Sequence, residues 1–167
     1  MNISTLRAGE IPGTYVVTEP ITEQEFLRLA KLMAKRRLRR GSKISSPEEV
    51  HRCLQTLLMD YEHEVFGLLM LDNRHRIIQF TEMFRGTINS ASVYPREIVK
   101  ESLAKNAAAV ILVHNHPSGD PEPSQADQQI TQRVKQALDT VDVRVLDHVV
   151  VGHEGVVSFV ARGLLFD

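Results

Sequence analysis

An apolar run that ends in two histidines constrains this chain more than any other stretch. From Ala107 the sequence reads AAAVILVHNH to His116, rich in aliphatic and β-branched side chains and free of Asp, Glu, Lys and Arg. That composition over so short a length predicts a strand buried on both faces. Side chains two apart on a strand share a face, so His114 and His116 point one way and Asn115 the other. The next residues, PSGDPEPS, cannot continue a strand and read as a tight ordered loop. Ser124 then opens a helical pattern that runs to about Asp139. Strand, loop and returning helix together bring Asp127, in the first turn of that helix, toward the two imidazoles.

The resulting spacing, His-x-His-x7-Ser-x2-Asp over His114, His116, Ser124 and Asp127, is the outline of a metal site. Imidazole and carboxylate are ligands that zinc selects, and three protein ligands leave open the position that a catalytic zinc uses for water. One Zn2+ per chain is therefore expected. Each fragment also has a plainer reading. Ser124-x-x-Asp127 is a capping box variant at a helix start, and an isolated histidine pair is more commonly just a strand end. The three pieces in register favour the metal.

Hydrolysis at such a site needs a carboxylate that is not itself a ligand to carry the proton. Glu62, Glu64 and Glu82 qualify by position. Glu64 leads HEVFGLLMLD, a second buried-strand run in which Gly67 allows another backbone to approach closely, and Glu82 ends the strand RIIQFTEM. Periodicity does not choose among them.

The remaining chain reads as alternating elements. A helix begins near Thr22, with Glu23 and Glu25 in its first turn and KLMAKRRLRR from Lys31 to Arg40 at its end, a polarity that suits the helix dipole. Its apolar positions, Phe26, Leu29, Ala30, Met33 and Leu38, are expected to lie on the domain or on a second copy of it. Ser46-Pro47-Glu48-Glu49 is a strong helix start, leading to about Met59. Two antiparallel strands follow, joined at Asp72-Asn73 and ended by Gly86. PREIVKESLAKN forms a helix before the histidine strand, and VRVLDHVVVG with VVSFV forms a last hairpin turning at Glu154-Gly155. The order predicts an α/β fold of three layers, α/β/α, with a mixed, partly antiparallel sheet. In that last hairpin, Asp147 or His148 is placed to hydrogen-bond a metal ligand, with a core or turn role the plainer alternative. His51, His63, His75 and His153 read as surface or loop residues. Arg85 and the loop Thr87 to Ser92 are candidate substrate contacts.

Length and charge fit one compact unit. The 167 residues are 43% hydrophobic with net charge -1, enough to bury a core and too balanced to coat nucleic acid. The balance is uneven: residues 1–43 carry nine Lys/Arg against four Asp/Glu, whereas residues 44–167 carry eleven against seventeen. A basic helix docked on an acidic domain accounts for that split. The lone Cys53 excludes an internal disulfide and reads as a small buried hydrophobe. No signal peptide or membrane span is expected at the sequence level, which points to the cytoplasm.

The wording HNHPSGDPEPSQAD, preceded by Glu64-Val-x-Gly67-Leu68 and flanked by FRGTINSASVYPREIV and VRVLDHVVVG, resembles the JAMM motif of the JAB/MPN metallopeptidase superfamily, specifically its RadC-like branch. The resemblance covers roughly Ser45 to the C-terminus. It implies a cytidine-deaminase-like core, His114, His116 and Asp127 as zinc ligands, Glu64 as general acid/base and Ser124 as the hydroxyl that steadies an oxyanion. It further implies zinc-dependent hydrolysis of a peptide or isopeptide amide in a peptide or protein substrate. Residues 1-44 form a basic helical extension, distinct from the helix-hairpin-helix module that longer members of the branch carry, and residues 45-167 form the JAMM domain. A homodimer fits the extension's apolar positions. The alternative is a non-catalytic zinc-containing interaction module, DNA-associated through the basic helix. A zinc nucleotide deaminase is excluded, since its Pro-Cys-x-x-Cys needs two cysteines.

Overall fold

The structure, a computed structural model, describes residues 6–44, 46–86 and 93–165. A short antiparallel hairpin, β1 (Leu6–Ala8) and β2 (Tyr15–Val17), precedes helix α1 (Glu23–Arg37) and helix α2 (Pro47–Leu58). Then come β3 (Val65–Leu71), β4 (Ile77–Arg85), α3 (Pro95–Ala104), β5 (Ala109–Asn115), α4 (Gln125–Asp139), β6 (Arg144–Val151) and β7 (Val156–Ser158). The last five strands build one sheet in the order β4-β3-β5-β6-β7. Only β5 and β6 run parallel, and α4 makes the crossover between them. The sheet is mixed, as the sequence predicts.

All seven residues of β5 are buried, because both faces of the sheet are covered. On one face Val50, Leu54, Leu57 and Leu58 of α2 meet Leu69, Leu71, Ile111 and Val113. On the other, Ile98 of α3 and Val134 and Leu138 of α4 meet Phe66, Leu68, Val110 and Leu112. Each strand thus divides its alternate residues between two apolar cores, which yields the expected three layers. The helices start where the capping chemistry puts them. Ser46 accepts from the Glu49 N–H with Pro47 following it, and Thr22 and Glu25 form a reciprocal capping box.

The basic helix does dock on the acidic body. Lys31 pairs with Asp60 at 2.8 Å, and Arg37 pairs with Glu49. The face it buries is the expected one in its C-terminal half: Leu38 is buried, with Ala34 beside it, and Leu29, Ala30 and Met33 are half-buried, while Phe26 departs from the expectation at 59% exposed. Only the C-terminal half of α1 lies on α2, and α1 ends at Arg37, with Leu38 capping it. Main-chain bonds Gly41 N–H to Ile77 and Ile77 N–H to Ser42, both 2.8 Å, tie the segment after α1 to the start of β4. The β1–β2 hairpin was not legible, because three-residue strands show too little alternation to read. Among the described residues no helix is long and apolar enough to cross a membrane.

Two glycines set the spacing around β3 and the loop after β5. A Cβ on Gly67 would stand 2.9 Å from the Phe80 ring and 3.2 Å from the Thr81 carbonyl oxygen, so the tightest neighbour is a side chain and the backbone expected there comes next. A Cβ on Gly152 would stand 2.1 Å from the Gly119 carbonyl oxygen, in the loop that follows β5. Overpacking of this kind costs about 1–3 kcal/mol. Gly152→Ala is accordingly expected to lower unfolding stability by that amount in urea titration; an unchanged midpoint would contradict the contact.

Candidate metal centre

The sheet register decides which side chains meet. Phe66 of β3 pairs with His114 of β5, so both lie on the face covered by α3 and α4, and their rings stack at 6.2 Å. Leu112 pairs with His148 of β6, which puts His148 on that same face, two residues below His114. Glu64 stands one residue before β3, where alternation carried back from Phe66 sends it to the same face, and its negative charge acts on His116. Glu82 does not. It pairs with Gly67, on the opposite face, and its carboxylate is held by the Tyr61 hydroxyl at 2.7 Å and Arg85 at 2.9 Å.

Helix α4 delivers the acid. Its inward stripe runs Asp127, Thr131, Val134, Leu138, and the last three are fully buried. Ser124 caps the helix and Asp127 returns the bond: Ser124 Oγ accepts from the Asp127 N–H at 3.1 Å, while Asp127 Oδ2 accepts from the Ser124 N–H at 2.7 Å. The plain reading and the functional one thus coincide. The cap is what holds the Asp127 carboxylate toward the histidines, with Oδ1 3.2 Å from His114 Nε2 and Oδ2 3.5 Å from His116 Nε2. The Ser124 hydroxyl donates to that carboxylate at 2.6 Å.

The two Nε2 atoms are 2.9 Å apart. Lone pairs at that distance repel unless a proton or a cation stands between them. One atom from each of His114, His116 and Asp127 lies within 4.8 Å of the others, the neutral-imidazole and carboxylate donor set that suits zinc. His116 Nδ1 lies 2.8 Å from the Asp120 carbonyl oxygen, which can only accept; Nδ1 therefore carries the proton and Nε2 is free to ligate. The residues present fit a divalent cation.

Electrostatics support that geometry. Burial pushes the Asp127 carboxyl up, but its contacts with the His114 and His116 rings and with the Ser124 hydroxyl outweigh it and hold the group far below the ordinary carboxylate range. Contact with the Asp127 carboxylate raises His116 above an ordinary imidazole, against partial burial, so a proton on Nε2 competes with a cation for that atom. Burial, then the neighbouring His114, drives His148 well below the ordinary range.

Three residues in or beside the site carry more structure than their positions announce. Asn115, turned to the opposite face, is buried. Its Oδ1 accepts from the Val65 N–H at 2.8 Å and its Nδ2 donates to the His63 carbonyl at 3.1 Å, clamping the backbone on both sides of Glu64. Of the pair Asp147 and His148, expected to offer one hydrogen bond to a candidate ligand, it is His148 that contacts His114 directly. Thr131 is a buried hydroxyl one turn beyond Asp127; a polar residue on the inward stripe of an amphipathic helix was the available signal. His63, read as surface, has a buried Nε2 without a hydrogen-bond partner among the described residues, and His51 lies 3.6 Å from Asp147. Thr87 to Ser92 fall outside the described residues.

Tyr61 is a measurable marker of the network that occupies Glu82. Burial, then the Glu82 hydrogen bond, pushes its phenol up to about 12. The neutral phenol is favoured by folding, so the contribution is intact below the ordinary phenol range and is lost as pH rises through about 12. Ultraviolet titration of the three tyrosines is expected to show one late component that Tyr61→Phe abolishes; three ordinary titrations would contradict the burial.

A family model described as the RadC-like JAB domain matches residues 44–164. The chain is 54% identical over 151 residues to a UPF0758 protein of Vibrio cholerae, covering 90% of this chain and 95% of that one. It is 54% identical over 142 residues to a UPF0758 protein of Marinobacter nauticus and 56% identical over 142 residues to one of Halorhodospira halophila, in each case covering 85% of this chain. The chain spans 63% of the length of those two longer relatives.

Proposed function

This chain belongs to the RadC-like JAB domain family, and from that premise we propose that it is a zinc-dependent hydrolase of peptide or isopeptide amide bonds. The observation that carries the reading is the convergence of His114 Nε2, His116 Nε2 and Asp127 on one point, with a non-ligating glutamate on the same face of the sheet. These three residues would hold the cation. When bound, it supplies Lewis acidity that lowers the pKa of water toward neutrality and polarises a carbonyl.

The chain's own groups do the rest. Glu64 takes a proton from the attacking water and returns it to the leaving amide nitrogen, so that one proton crosses and one C–N bond breaks. The Asn115 clamp on residues 63 and 65 keeps that carboxylate from swinging away with its loop. The Ser124 hydroxyl gives its one proton to Asp127 Oδ2 in this structure; rotated off that carboxylate, it donates to the carbonyl oxygen as charge develops there. A donor of this kind contributes about 3 kcal/mol. His148 and the aromatic rings of Phe66 and Phe159 keep water out from beneath the site. A peptide or protein substrate is the partner that this chemistry requires.

Zinc-loaded protein incubated with peptide and isopeptide libraries, with new termini read by mass spectrometry, tests the reading. Glu64→Gln is expected to retain zinc and lose about two to four decades in rate. Asp127→Ala is expected to lose the metal. Cleavage by metal-free protein at the rate of the zinc-loaded form would overturn the proposal.

A further inference from the structure

A chain of hydrogen bonds runs from the candidate centre into the core, and it has a direction. His114 Nδ1 lies 2.8 Å from His148 Nε2. His148 Nδ1 lies 2.5 Å from Thr131 Oγ1, and that hydroxyl lies 2.5 Å from the Asp127 carbonyl oxygen. A carbonyl only accepts, so Thr131 donates its one proton there and must accept from His148 Nδ1–H. A neutral imidazole protonated on Nδ1 accepts at Nε2, so His114 donates from Nδ1. Every polarity follows from one backbone carbonyl, and the last consequence is a bare Nε2 on His114, turned toward His116 and Asp127.

We propose that Thr131 and His148 are positioning residues that fix the tautomer and ring plane of His114 for a divalent cation, a proposal that rests on the metal reading above. The relay is sealed: Thr131 and His148 are fully buried, and the His148 ring lies 4.6 Å from Phe159 and 5.5 Å from Phe66. Water cannot replace a lost partner there. The relay also closes on itself, since the carbonyl at its far end belongs to Asp127, whose carboxylate faces the same point. Helix α4 therefore sets one ligand directly and a second through two side chains. His116 obtains the same tautomer separately, from Asp120, which leaves it outside the relay.

Zinc affinity, measured by competition with a chromophoric chelator, and the visible spectrum of the Co2+-substituted protein test this. Thr131→Val removes the hydroxyl at nearly constant volume and is expected to weaken zinc about 10–100-fold and alter the Co2+ spectrum. Thr131→Ser, which keeps the hydroxyl, is expected to restore both. Long-range 1H–15N correlations on the wild-type chain are expected to place the His148 proton on Nδ1, a readout that stands even if Thr131→Val fails to fold. Wild-type affinity in folded Thr131→Val, or a His148 proton on Nε2, overturns the relay while leaving the metal reading intact. A wild-type chain that binds no zinc overturns both.

Discussion

Two imidazole nitrogens 2.9 Å apart at the end of a fully buried strand are the constraint on which the rest of this molecule is arranged. Such a pair is repulsive unless something positive lies between, and neither ring can retreat. His114 is pinned from below by His148 and stacked on Phe66. His116 is pinned by the Asp120 carbonyl in the loop that Gly152 lets approach. The Asp127 carboxylate, held by its own helix cap, completes a donor set whose charge and shape fit a dication. Rigidity comes from the sheet, and specificity comes from side chains that leave no other way to orient the ligands.

The alternation of β5 divides the work. Residues on one side, Leu112, His114 and His116, build the centre and rest on the core under α3 and α4. Asn115, between the two histidines, turns the other way and grips the chain on both sides of Glu64. A single strand thereby fixes both the ligands and the segment that carries the proposed proton carrier. Registry between β3 and β5 then matters at the level of one residue, because a slip would send Glu64 to the wrong face.

Much of this was legible in the sequence for a physical reason: the centre is local. His114, His116, Ser124 and Asp127 sit within one strand–loop–helix unit, and period two followed by a Pro/Gly loop and a capping pattern determines their relative placement. Helix starts at Thr22, Ser46 and Ser124 were readable because capping chemistry is local too. What pattern could not supply was long-range register. Glu62, Glu64 and Glu82 were equivalent until the pairing of Phe66 with His114, two residues after Glu64, and of Glu82 with Gly67 sorted the last two by face. The Asn115 clamp spans 50 residues of sequence and the His114–His148 contact spans 34, separations at which periodicity carries no information. Phe26 of α1, expected on that helix's packed face, is exposed because only the C-terminal half of the helix has a partner.

X-ray absorption at the zinc edge on the zinc-loaded chain tests the central claim most directly. The account predicts one zinc with two imidazole nitrogens and carboxylate or solvent oxygen at about 2.0–2.2 Å, and no sulfur. A shell containing sulfur, which among these side chains implicates Cys53 or a methionine, or one with fewer than two imidazoles, would contradict it.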